Sequence, residues 1–444
     1  MAYHSEPRKI PEKARRPIDT LLDPFLRFTS AQASGGILLL GAAIAALLWA
    51  NLAGESYRRF FETPISFTYA DLELSKSLSH WINDALMVVF FFVVGLEIKR
   101  ELIIGELSSV KKAALPAAAA LGGMLVPAAI YLSLNIGGPG QPGWGIPMAT
   151  DIAFTLGVLT LLGQAVPFSL KVFVTALAIV DDLGAVVVIA LFYSSNIDWR
   201  SLGAGALIFL LLLASNFLGV RHPLIYALLG MALWLAFLNS GIHSTIAGVL
   251  LAITIPARTS LPTTDVVMHG RFLLNELEAK QVGSGLRPNT NEEQCLLESL
   301  EEVAESAQTP MQRLEHTLAP WSTFLIMPLF ALANAGLDVS QGFTITHTAA
   351  LGIIAGLCIG KPVGITLFSW LAVRSGLAEL GAEVAWRQLF GAGCLAGIGF
   401  TMSLFIANLA FPTNELLEVS KAGILVASCL SACLGACLMK RFRS

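Results

Sequence analysis

Asp181 and Asp182 stand side by side in Ala178-Ile179-Val180-Asp181-Asp182-Leu183-Gly184, inside an otherwise apolar run from about Leu170 to Phe192. A run of that length crosses a bilayer, which takes ~20 residues at ~1.5 Å each. A charged side chain at the bilayer centre costs roughly 2.5–3.5 kcal/mol on insertion scales. Two adjacent carboxylates also repel each other. The pair must therefore face protein or water rather than lipid, and an ion pathway is the first reading of such residues. The chemistry they offer is competition between protons and a cation for the same oxygens.

Few other ionisable residues fall within apolar runs. Asp151 and Lys361 lie deep, while Asp84, Glu97 and His243 lie nearer the ends of such runs. The runs holding Asp151 and Asp181 are joined by Gly163-Gln164-Ala165-Val166-Pro167. Counted from Val166, Asp151 is 15 residues before and Asp181 15 after. In an antiparallel pair of helices they share a depth near mid-membrane. Lys361, about 12 residues into its own run, reaches the same level. An Asp181–Lys361 ion pair could be purely structural. It would leave Asp182 and Asp151 without a cationic partner, and two uncompensated carboxylates at depth need protons or a bound cation. Neighbouring acids titrate as a coupled unit, so exchange of protons for a metal cation follows from the chemistry.

The elements that must hold these groups are transmembrane helices. Of 444 residues 55% are hydrophobic and 13% charged, against ~25% charged in soluble domains. The ~10-residue alternating strands of a transmembrane β-barrel are absent. The expected fold is an all-α polytopic membrane protein with 12 spans, near 36–53, 84–102, 113–134, 149–162, 169–193, 201–219, 223–239, 242–256, 320–336, 349–372, 386–410 and 421–439. With this layout, 22 Lys and Arg fall on the N-terminus, the even-numbered connections and the C-terminus. Only 5 fall on the odd-numbered connections, and Lys361 completes the 28. The positive-inside rule then places both termini in the cytoplasm.

Residues 1–33 are polar and basic, without the early apolar core of a cleaved signal peptide, and read as a cytoplasmic segment. Within them Pro17–Phe28 is expected as a short interfacial helix. Spans 1–8 occupy 34–256, a long cytoplasmic loop occupies 257–319, and spans 9–12 with the C-terminus occupy 320–444. In the outer loop 54–79, residues 64–74 alternate apolar and polar around Tyr69-Ala70-Asp71. That pattern predicts a β-hairpin, whose free edge invites pairing with a second copy. The long loop is rich in Glu; residues 257–308 read as a solvated linker, with an amphipathic cytoplasmic helix in the loop's second half leading to Arg313-Leu314-Glu315-His316. Cys429, Cys433 and Cys437 share one helical face. With no His or acid between them they read as small hydrophobes.

Two spans are interrupted. Pro147 precedes Met148-Ala149-Thr150-Asp151, and Gly391, Gly393, Gly397 and Gly399 punctuate the run ending in Phe400-Thr401. Such interruptions in corresponding positions of two halves point to broken helices at a binding site. The halves are spans 3–5 and 10–12. Their starts lie seven spans apart, so the second enters from the opposite side, as an inverted repeat requires.

At these residues the chain resembles the NhaA-type Na+/H+ antiporters. The segments that carry the resemblance are Ala149-Thr150-Asp151-Ile152-Ala153-Phe154, the Asp181-Asp182 stretch, Gly360-Lys361-Pro362-Val363-Gly364, Trp81-Ile82-Asn83-Asp84, Gly95-Leu96-Glu97 and Gly241-Ile242-His243-Ser244-Thr245. Inverted repeats with broken helices 4 and 11 are a property of that family, so the resemblance and the glycine pattern are one observation. The resemblance covers about residues 20–440. It implies Asp182 and Asp151 as Na+ ligands with Thr150 nearby, and Asp181 exchanging its salt bridge with Lys361. Two roles stay open for Lys361, proton carrier and structural partner. Glu97, Glu101, His243 and Glu315 match positions tied to pH response near the cytoplasmic funnel. A second His, expected near Arg313–His316, is replaced by Ala319.

The implied activity is electrogenic exchange of Na+ (or Li+) for more than one proton in the bacterial inner membrane. It involves no enzymatic step, no cofactor beyond the carried ions and no nucleic acid, and it implies a homodimer through the 64–74 hairpin. An intramembrane aspartyl protease also needs two membrane Asp residues, but its Gly-x-Gly-Asp context is absent. A cation channel would be impeded by a buried Lys among its acids. A solute:Na+ symporter of related fold is a third alternative, told apart because Na+ collapses an imposed ΔpH only in the antiporter.

Overall fold

The computed structural model describes residues 34–441 apart from 70–71, 164–165, 195–196, 260–261, 281–289, 339–345, 382–383 and 412–413. The segment Pro17–Phe28 and the Ala70-Asp71 turn lie outside the described residues. The chain is almost wholly helical. Helix α1 (Ser34–Leu52) leads through α2 (Gly54–Glu62) to strands β1 (Pro64–Tyr69) and β2 (Leu72–Ser77), which pair antiparallel as the alternation predicts. Helices α3 (Leu78–Ile103) and α4 (Val110–Asn135) follow. A 3-10 stretch, Gln141–Met148, gives way to α5 (Ile152–Leu161), α6 (Phe168–Phe192), α7 (Trp199–Phe217), α8 (Pro223–Ser240) and α9 (Ile246–Thr254). Then come α10 (Thr263–Lys280), α11 (Asn291–Ala307), α12 (Pro310–Asn334) and α13 (Thr348–Arg374). The pair α14 (Trp386–Ala396) and α15 (Phe400–Ala410) precedes α16 (Asn414–Arg441).

Ten helices among the described residues are long and apolar enough to cross a membrane, and the α14–α15 pair, bent by 48°, makes an eleventh. The expected span 242–256 is realised differently. Its helix α9 has 9 residues, rising about 13 Å where the hydrocarbon core is ~30 Å. Its ends explain the length. Gly241 closes α8 in a left-handed conformation (φ 79°). At the other end Lys99 of α3 donates from Nζ to the carbonyls of Ile253 (2.6 Å) and Ile255, placing a cation at the negative end of the helix dipole.

The long loop 257–319 also departs from expectation. Residues 263–280 form a helix rather than a linker, and α11 begins with a capping box between Thr290 and Glu293. Arg313 of α12 pairs with Glu305 of α11 at 2.7 Å, and the Met311 amide donates to the Pro256 carbonyl. The two ends of the insertion therefore meet. The three cysteines of α16 are exposed.

Small residues let the site helices approach. Gly122 of α4 lies against Gly364 of α13 so closely that a Cβ on either would stand 2.1 Å from the other's carbonyl oxygen. This backbone-to-backbone seam is how small residues pack membrane helices, and it holds α13, which carries Lys361, against α4. Gly122→Val is expected to destabilise the protein by about 1–3 kcal/mol through overpacking, read as a lower thermal-unfolding midpoint in detergent.

Candidate functional site

Asp181 and Asp182 sit near the middle of the 25-residue helix α6. Both are about 1% exposed, and Asp151 and Lys361 are fully buried. Lys361 follows a π-helical turn, Gly356–Gly360, in α13; such turns inside helices recur at functional positions. From there its Nζ pairs with Asp181 Oδ2 at 2.8 Å and donates to the Met148 carbonyl at the end of the 3-10 stretch. The Thr150 hydroxyl donates to the same Asp181 oxygen at 2.6 Å. The matched depths counted along the chain thus bring Thr150 to Asp181, on the oxygen that Lys361 also contacts.

Asp151 is held differently. Its Oδ1 accepts the Phe154 amide at 3.0 Å and so caps α5. Its Oδ2 accepts both the amide (3.1 Å) and the hydroxyl (2.5 Å) of Thr401, in the first turn of α15. One carboxylate therefore meets the positive ends of two helices. The Asp151 amide in turn donates to the Ile398 carbonyl at 2.7 Å. The break between α14 and α15, Gly397-Ile398-Gly399, crosses the break before α5 at this point. Neither glycine leaves room for a side chain. A Cβ on Gly397 would stand 2.4 Å from the Leu357 carbonyl, and one on Gly399 2.1 Å from Ser403 Oγ. Non-helical backbone survives in such surroundings where freed groups find partners, as the Met148, Ala396 and Ile398 carbonyls do.

Asp182 has no comparable partners. Its Oδ1, like Asp181 Oδ1, is buried without a hydrogen bond among the described residues. The charges acting on it are Asp181, Glu97, Asp151 and Lys361. A buried polar atom with no partner is costly and calls for an explanation such as a proton or an ion. Among the described residues, no three or more His, Cys, Asp or Glu side chains form a closed metal-holding group.

Comparison with known proteins identifies the family. The sequence model described as Na+/H+ antiporter 1 matches residues 26–439. The chain belongs to the Na+/H+ antiporter 1 family. It is 50% identical to the Na(+)/H(+) antiporter NhaA of Oleidesulfovibrio alaskensis over 97% of this chain and 96% of that protein. Similarity to the protein of that name from Koribacter versatilis is 49% over 96% and 93%, and from Escherichia coli O1:K1 46% over 92% and 96%. Family membership and the apolar helices together make this a multi-pass membrane transporter.

The residues expected to respond to pH fall into two places. Near the C-terminal end of α3, Arg100 pairs with Glu101 (3.1 Å) and with Glu315 of α12 (3.4 Å), one turn from Glu97. His243 is elsewhere. Its Nε2 stands 3.9 Å from Asp84, which also pairs with His80 at 2.9 Å. Asp84 precedes Glu97 by 13 residues on α3, about 20 Å along the helix. Sequence reasoning missed Thr401 and the Met148 carbonyl as site groups. Thr401 follows the second break as Thr150 follows Pro147, and the inverted repeat was the signal that could have found it.

The buried Asp181–Lys361 pair predicts a thermodynamic cycle. Asp181→Asn or Lys361→Met alone should each destabilise by about 3–5 kcal/mol, because the remaining charge loses its partner. The double substitution should cost less than the sum of the two, measured by thermal unfolding in detergent.

Proposed function

We propose that the protein extrudes Na+ (or Li+) from the cytoplasm in exchange for protons across the bacterial inner membrane, with both termini cytoplasmic. One observation carries the reading: Asp182 is buried with an unpartnered carboxylate oxygen beside the Asp181–Lys361 pair. Asp182 is the central cation ligand, with Asp151 and Thr150 contributing further oxygens. Asp181 titrates as it exchanges Lys361 for a proton. The cation is cargo, and the cycle requires no cofactor and no enzymatic step.

Two titrating acids per monovalent cation make the exchange electrogenic, with more than one proton entering per Na+ leaving. The proton gradient then drives Na+ outward. Alternating access follows if the repeat units, α4–α6 and α13–α16, rock against the remaining helices. The connection 241–257, with α9 at its centre, completes a twelfth crossing in this reading. The inner cluster of Glu97, Glu101 and Glu315, together with His243, tunes the response to pH. The β1–β2 hairpin joins two copies. The name shared by the relatives supports the Na+/H+ pairing. The excess of basic residues on the even-numbered connections supports the orientation.

The decisive assay uses everted membrane vesicles with an imposed ΔpH. Na+ should collapse the gradient, and Asp182→Asn should slow that response by about a hundredfold or more, the loss expected of a buried charged ligand worth ~3 kcal/mol. Wild-type rates in Asp182→Asn would remove the site assignment. The pH dependence has a fixed sign. Protons and Na+ compete for the same oxygens, so deprotonation at alkaline cytoplasmic pH frees the ligands and transport should rise. At acid pH it should fall. Rates that rise toward acid pH would contradict competition.

A further inference from the structure

One face of α15 runs from the carboxylate site toward the outer surface. Thr401, Phe405 and Asn408 are spaced i, i+4, i+7 and so share that face. Thr401 holds Asp151. One turn on, the buried Phe405 ring packs against Phe91 of α3, Phe330 of α12 and His243, with ring centroids 5.5, 6.1 and 5.4 Å away. About 10 Å beyond Thr401, Asn408 Nδ2 donates to Asn334 Oδ1 of α12 at 3.0 Å. Asn334 and Asn83 of α3 exchange two amide hydrogen bonds, at 2.7 and 3.2 Å. Asn83 lies in a π-helical turn of α3, Ile82–Leu86, where the backbone departs from regular helix. Basic-residue counting places all three amides at the outer ends of their helices.

We propose that this face of α15 is the outer closure of the transport path: an aromatic layer around Phe405 beneath an amide latch made by Asn408 on Asn334. The inference rests on the alternating-access reading above and names the contacts that must break each time the site opens outward. The chemistry suits a reversible latch. Aromatic packing excludes water and ions from the layer nearest the carboxylates. Amide hydrogen bonds exchange for water at small net cost, whereas a buried ion pair would resist opening. The arrangement also separates two kinds of contact. Asn83 and Asn334 belong to α3 and α12, in the part that stays together, so their mutual bonds persist through the cycle. Asn408 belongs to the repeat unit that moves, so only its bond crosses the sliding boundary.

The test uses the full chain with its six native cysteines replaced by serine or alanine, reconstituted in vesicles. Asn334→Cys with Asn408→Cys, joined by a short reducible bis-methanethiosulfonate, should lose Na+-driven ΔpH collapse by about tenfold or more and regain it on reduction. Asn83→Cys with Asn334→Cys, joined in the same way, should keep its rate within about twofold. A joined Asn334–Asn408 pair that transports freely would overturn the proposal, and so would equal arrest by both links. A second measurement needs no transport. In a Phe405→Cys background, adding Asn408→Ala should raise labelling from the outside by an impermeant maleimide about threefold or more, and unchanged labelling would contradict the latch. Failure of the antiport reading itself is distinguishable: the unmodified protein would then show no Na+-driven ΔpH collapse at all.

Discussion

The desolvation of Asp182 is the constraint to which the rest of the site answers. A carboxylate removed from water demands a compensating charge, a proton or a strong set of hydrogen bonds. The chain supplies such compensation to its neighbours and withholds it from Asp182. Asp181 receives Lys361 and the Thr150 hydroxyl. Asp151 receives Thr401 and the positive ends of two helices. Asp182 Oδ1 receives nothing among the described residues. This asymmetry separates the surroundings of the three acids, and in the proposed reading it is what leaves Asp182 to a proton or an ion from outside the protein.

Holding that asymmetry requires backbone that is not helical at mid-membrane, and the two breaks make it affordable by satisfying one another. The Asp151 amide bonds the Ile398 carbonyl, and Thr155 Oγ1 donates to the Leu395 carbonyl near the end of α14. Gly397 and Gly399 leave no room for a side chain, since a Cβ would meet the Leu357 carbonyl at the one and Ser403 Oγ at the other. α15 meets Asp151 through Thr401 in its first turn and Asn334 through Asn408 near its last, so one short helix joins the carboxylates to the amide cluster.

Isolated charges in apolar runs are loud signals, which is why Asp151, Asp181, Asp182 and Lys361 were legible in the sequence. Their common depth followed from counting residues about one connection. The glycine and proline interruptions exposed both breaks. Other features were silent. Thr401 is an ordinary residue in an apolar segment, and a carbonyl such as that of Met148 has no sequence signature. Residues 263–280 are a polar helix, and without a clear apolar stripe they read as linker. The shortness of α9 depends on Lys99 reaching across from α3 to cap it, a tertiary contact that hydropathy does not reveal. The resemblance grouped His243 with Glu97, Glu101 and Glu315 as positions tied to pH response, and only the folded chain separates it from them and sets it beside Asp84.

The central claim is that Na+ and protons occupy the same oxygens. It is tested most directly by isothermal titration of the purified protein with Na+ in buffers of different ionisation enthalpy, which counts protons released per cation bound. Competition at Asp182 predicts that Na+ binding releases protons, that the apparent affinity tightens as pH rises, and that Asp182→Asn abolishes both the heat and the release. Na+ binding to the wild-type protein with no proton release, at an affinity independent of pH, would contradict it.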